Sequence, residues 1–195
     1  MTDPKATLIE YLQTGRDAMV WKLDGLSEYD VRRPMTPTGT NLLGLVKHLA
    51  SVELGYFGDT FGRPHGIVLP WQVEGADANG DMYATEDESR EDIVGLYKRA
   101  WEHAAGTFAA KELDDVGEVP WWRPGRRTVT LHQILVHMAT ETDRHAGHAD
   151  IVREMIDSAA GLGPGKSSMP GDGYDWVAYH DRLERIARTF VDSSG

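Results

Sequence analysis

The chain has 195 residues, of which 41% are hydrophobic, 26% charged and none cysteine. That length and apolar content support one compact domain with its own core, and the lack of cysteine excludes disulfides, thiolate metal sites and an internal thiol nucleophile. The formal charge of −11 gives a surface that repels nucleic acid.

In chain order, the first helix is predicted over residues 4–26, where Asp3 can cap, Pro4 suits the first turn, and Leu8, Leu12, Met19 and Leu23 approximate one face. SEYDVRRP reads as a short helical turn stopped by Pro34. A second helix starts after TPTGTN, with Thr40 or Asn41 as its cap, and continues to Phe61. Residues 62–85 hold prolines, glycines and Trp71 with little periodicity, which predicts a long irregular loop of the kind that often carries function. The third helix, over residues 87–110, begins with TEDESRED, whose acids suit the helix dipole; its stripe is Ile93, Leu96, Tyr97, Ala100, Trp101, Ala104 and Phe108.

The segment WWRPGRRT follows, with Arg123, Arg126 and Arg127 beside Trp121 and Trp122. It reads either as a grip for a phosphate or carboxylate, or as a solvated loop with tryptophans packed beneath it. GRRTVT can pair briefly as a strand, and Thr130 can cap a fourth helix over residues 130–157. GLGPGKSSMPGDG is a linker without core-forming pattern, and a last helix over residues 174–191 carries Val177, Leu183, Ile186, Ala187 and Phe190. The expected fold is all-α: a four-helix bundle with one long crossover connection over residues 1–160, then a Gly/Pro-rich linker and an extra C-terminal helix over 161–195 packing on the same domain. No apolar run approaches the roughly 20 residues of a membrane span. MTDPKATLIEYLQ lacks the layout of a secretory signal, so a cytoplasmic protein with no membrane or nucleic-acid partner is expected.

The fourth helix aims an acid and a histidine at its apolar side. At about 100° per residue, Ile134, Met138, Glu141, His145 and Val152 share that side, with His137 and His148 at its edge and His132 on another face. Glu141 and His145 stand four apart and can reach one point. A carboxylate facing a core needs an arginine, a protonated histidine or a metal. On the second helix, Gly44, His48, Ser51 and Gly55 lie opposite Leu42, Leu45, Leu49, Val52 and Tyr56. Small residues let another helix approach, and His48 among them would project into the gap. His48, Glu141 and His145 would then form a two-histidine, one-carboxylate set with coordination positions left open, the catalytic pattern for Zn2+, although Ni2+, Fe2+ and Mn2+ suit the same donors. The alternatives are an exposed ion pair at Glu141 and His145 and a hydrogen-bonded core histidine at 48. His103 reads as surface, and His65 and His180 have no evident partner.

TGTNLLGLVKHLASVELGYF and TLHQILVHMATETDRHAGHADIVREMID resemble the DinB-like superfamily, in its DUF664 branch, over residues 7–156. The resemblance implies a four-helix bundle with a long crossover, often a homodimer, holding a divalent metal through one histidine of the second helix and two ligands of the last. The commoner pattern on that last helix is H-x-x-x-H; here Glu141 takes the first position. The set His48, Glu141, His145 is instead similar to the metal-binding domain of mycothiol-dependent maleylpyruvate isomerase. Related bundles include thiol S-transferases that use mycothiol or bacillithiol. The partners implied are a low-molecular-weight thiol and a small electrophile, with Trp121, Trp122, Arg123 and Arg126 as substrate contacts. A metal-binding stress-linked or sensory module without turnover and a metal-assisted hydrolase are the alternative functions.

Overall fold

A computed structural model describes residues 3–191; the outer ends of the two expected segments, residues 1–2 and 192–195, lie outside the described residues. The helices are α1 (Pro4–Trp21), α2 (Glu28–Arg32), α3 (Leu42–Phe57), α4 (Arg90–Ala110), α5 (Leu131–Asp157) and α6 (Trp176–Arg188). One small antiparallel ribbon pairs β1 (Val116–Glu118) with β2 (Thr128–Thr130).

Local chemistry accounts for most boundaries. Asp3 caps α1, Asn41 Oδ1 accepts from Gly44 N at 2.7 Å to open α3, Ser89 and Asp92 form a capping box on α4, and Thr130 caps α5. α1 stops earlier than periodicity predicts. Leu23 and Asp24 donate to the carbonyls of Val20 and Trp21, tightening the last turn, and Gly25 at φ +74° turns the chain away. α3 likewise ends at Phe57, followed by a 3-10 turn over Asp59–Phe61.

Pairs between helices give their directions. Leu12 shares one apolar cluster with Tyr56 and Phe57, at the end of α3, while Met19 and Leu23 share the other with Leu42 and Leu45, at its start, and Arg16 meets Glu53 between them; α1 and α3 therefore run antiparallel. Lys47 binds Glu88, just before α4, while Thr107 near its end donates to the Phe57 carbonyl; α3 and α4 are therefore parallel. Gly15 lies against Thr142, and Lys22 pairs with Asp150, so α1 and α5 are parallel too. The bundle is up-down-down-up, and parallel neighbours α3 and α4 demand the long crossover between them. The chain has the all-α DinB-like architecture.

The predicted stripes face inward: Leu12, Met19, Leu49, Ile93, Leu96, Tyr97, Ile134 and Met138 are buried, while Leu8 and Trp101 are only half-buried. α6 behaves differently. It forms as predicted after the linker, but none of its residues is buried, and Val177, Leu183 and Ile186 are exposed. The linker is fastened at its start, where Gly161 accepts from Lys22 Nζ and donates to Asp150. Trp176, Tyr179, His180 and Leu183 of α6 line one cavity with Glu154 of α5, so the helix faces the bundle without burying a side chain. Among the described residues, no helix is long and apolar enough to cross a membrane.

Candidate metal centre

α3 and α5 cross the core antiparallel: the rings of His48 and His145 lie 4.9 Å apart, and eight residues further along α3 Tyr56 meets His137, eight residues back along α5, at 4.7 Å. This seam brings together the three residues singled out by spacing. His145 Nε2 lies 3.1 Å and His48 Nε2 3.6 Å from the same oxygen, Glu141 Oε1. One ligand atom from each of His48, Glu141 and His145 falls within 4.8 Å of the others. Zinc with bonds of about 2.1 Å in a tetrahedron sets its donors about 3.4 Å apart. The three donors could hold such an ion if the wider separations, up to 4.8 Å, drew in by about 1.4 Å.

Burial opposes charge on both histidines, but the outcomes diverge. At His48 it is outweighed by the hydrogen bond and charge of Asp81 and then by Glu141, so the pKa ends above the ordinary histidine value. At His145, burial and the neighbouring His48 outweigh the pull of Glu141, and the pKa falls. The Glu141 carboxyl is raised by burial but lowered further by His145 and His48, and ends below the usual range. One acid thus sits between a ring that holds a proton readily and one that releases it.

Asp81 is the residue that sequence reasoning missed. Its Oδ2 lies 2.8 Å from His48 Nδ1, on the side of the ring away from Glu141. It comes from the crossover loop, 33 residues from His48, and no periodicity marks it. The same loop corrects the reading of the small-residue side of α3. A side chain at Gly44 would strike the Met82 carbonyl, which a built Cβ would approach to 1.8 Å. Ser51 Oγ accepts from Trp71 Nε1 at 2.9 Å, and Gly55 lies under Trp121. The small residues admit loops rather than a neighbouring helix; His48, between them, still reaches the α5 seam.

The other histidines sort by contact. His148 Nδ1 lies 3.4 Å from His145 Nδ1. His137 joins Tyr56 and Trp122 in an aromatic cluster, with Trp122 Nε1 donating to the Tyr56 hydroxyl at 3.0 Å. His103, expected at the surface, is half-buried and bonds the Arg63 carbonyl at 2.7 Å. His65, expected without a partner, accepts from Ile67 N.

Trp121, Trp122, Arg123, Arg126 and His137 line a cavity of about 470 Å3. Arg127 is not in its lining; its Nε donates to the Trp122 carbonyl at 2.9 Å. His137 stands one helical turn from Glu141, about 6 Å along the axis of α5. The cavity meets α5 through His137, and none of the three candidate ligands is in its lining.

Fold and site together define an up-down-down-up helical bundle with a two-histidine, one-carboxylate cluster between its α3 and α5 helices. The family model for mycothiol-S-transferase matches residues 7–158, and the chain belongs to that family, within the DinB-like superfamily. No curated protein matches the chain.

Proposed function

We propose that the protein is a metal-dependent S-transferase that joins a low-molecular-weight thiol of the mycothiol type to a small electrophile. The observation that carries this is the convergence of His48 Nε2 and His145 Nε2 on one Glu141 oxygen, in a chain of the mycothiol-S-transferase family. When bound there, a divalent ion would lower the pKa of an incoming thiol and keep it as thiolate. His48, Glu141 and His145 would hold that ion, and a single carboxylate among them leaves positive charge uncompensated, which favours an anionic sulfur. A chain without cysteine supplies no sulfur of its own, so the nucleophile arrives with the cosubstrate. Trp121 and Trp122 line the cavity that His137 joins to α5, and Arg123 and Arg126 in the same lining suit an anionic group on the electrophile. The finer readings belong to the same proposal: Zn2+ ahead of Ni2+, Fe2+ and Mn2+, the DUF664 branch, a homodimer and a cytoplasmic location.

The test combines zinc-reconstituted protein, mycothiol and a chromogenic aryl halide. Thioether should form faster than without protein, and His48→Ala should return the rate to background. Equal rates for both proteins would remove the transfer reading. Bound metal without any rate above background would favour a metal-binding module without turnover.

A further inference from the structure

The His48 ring is held from both sides: Nδ1 lies 2.8 Å from Asp81 Oδ2, and Nε2 lies 3.6 Å from Glu141 Oε1. An ionised carboxylate only accepts hydrogen bonds, so Asp81 requires the proton to sit on Nδ1. In the neutral ring that leaves the Nε2 lone pair directed at Glu141 and His145. Among the described residues, no carboxylate stands behind His145 Nδ1 in this way. Its Nδ1 faces the imidazole of His148 at the longer distance of 3.4 Å.

Asp81 does not reach His48 from a free loop tip. On its C-terminal side, the Met82 carbonyl accepts from Asn41 Nδ2 at 3.1 Å and packs where Gly44 leaves room for it. The Tyr83 carbonyl accepts from the buried Lys47 Nζ at 2.9 Å. On its N-terminal side, Trp71 is tied to Ser51. The segment is thus docked on α3 by contacts independent of Asp81, and pinning the loop does not require the Asp81–His48 bond. What the bond alone determines is the tautomer and orientation of the ring.

We propose that Asp81 is the positioning residue of the metal centre, accepting from His48 Nδ1–H so that Nε2 is presented to the ion. This rests on the reading of His48 as a ligand. A carboxylate behind a ligating histidine fixes the ring and raises its basicity, and loss of such a partner typically weakens metal binding by about 10–100-fold.

The experiment uses the full chain as wild type, Asp81→Asn, Asp81→Ala and His48→Ala, each stripped of metal. Zn2+ affinity is measured by competition with a chromophoric chelator, thermal unfolding is followed in the metal-free state, and histidine ring protons are observed by NMR in the zinc-reconstituted state. The wild type should show an exchange-protected His48 Nδ1–H resonance, and Asp81→Ala should lose it and bind Zn2+ about 10–100-fold more weakly. Asp81→Asn should fall between, because its amide oxygen still accepts but carries no charge, and its metal-free unfolding should match the wild type. If Asp81→Ala binds Zn2+ as the wild type does while His48→Ala does not, the positioning role is wrong and the ligand reading stands. If both Asp81 variants lose affinity only in proportion to lost metal-free stability, Asp81 is merely a loop anchor and the proposal falls. If wild type and His48→Ala bind Zn2+ equally, the ligand reading fails and takes the proposal with it.

Discussion

Glu53 on α3 and Glu141 on α5 each turn a carboxylate into a seam between helices. The Glu53 side chain has no exposure and takes Arg16 Nε and Nη2 at 3.0 and 2.5 Å. The Glu141 side chain keeps 31% exposure and faces the Nε2 atoms of two histidines. Burial pushes the Glu53 carboxyl up even against Arg16, whereas at Glu141 the two histidines more than offset burial. The difference lies in the partner. A guanidinium keeps its protons and has no lone pair to offer, so Glu53 is locked into a structural ion pair. An imidazole can exchange a proton for a metal, and the Glu141 side chain keeps a solvent exposure that Glu53 lacks.

Removing a ligand is the strongest way to break this comparison. His48→Ala and His145→Ala should each reduce zinc content from about one ion per chain, the stoichiometry of a mononuclear site, to near none. This should hold both after purification without added metal and after reconstitution. Metal-free stability should change little, because the hydrophobic core is intact without the site. Equal metal content in the wild type and both variants would place the ion elsewhere.

The opposite seam is tested through stability. Glu53→Gln leaves Arg16 buried and unpaired and should cost about 3–5 kcal/mol in urea unfolding, without altering zinc content. Replacing both partners together, Arg16→Met with Glu53→Leu, should recover most of that loss, since a buried ion pair is often no more stable than an apolar one. If Glu53→Gln also strips the metal, the two seams are coupled and the contrast collapses.

Glu141→Gln keeps the shape of the site and removes its one ligand charge. Zinc should bind more weakly than in the wild type and be released at a higher pH on acidification, because protons compete for the same histidine nitrogens. Metal release at the same pH in both proteins would show that the carboxylate is not a ligand.

A smaller effect sharpens the role of cations that cannot be exchanged for a metal. Glu88, bound by Lys47 and the Thr85 amide, and Asp157, bound by Arg153, both have carboxyl pKa values below their usual 4.5 and 3.8. A depressed folded-state pKa contributes stability above the unfolded value, and that stability is lost as pH falls through the folded one. The urea midpoint should therefore hold steady down to the ordinary carboxylate range and decline below it. Glu88→Gln should flatten this acid limb slightly; an unchanged limb would mean that Lys47 contributes nothing to it.

The helices were legible because their signals are local. Asp3, Asn41 and Thr130 cap within three residues of themselves, and the stripes of α4 and α5 repeat at helical spacing. Glu141 and His145 were legible for the same reason, being one turn apart on one helix. His48 was found from a correct pattern with the wrong cause: the small residues around it make room for Met82, Trp71 and Trp121, not for a helix. The early end of α1 was missed because it depends on a tightened turn and on Gly25, which periodicity does not weigh.

Sequence by itself determined the all-α class, the crossover loop and three candidate ligands, since side chains three or four apart on a helix must share a face whatever the helix packs against. Tertiary structure alone decided that Asp81 stands behind His48, that Arg16 rather than a metal answers Glu53, and that α6 leaves its apolar residues uncovered. Those pairings join residues 33 and 37 positions apart. They depend on how the crossover loop and α1 lie against α3, a matter of long-range packing that leaves no period in the chain.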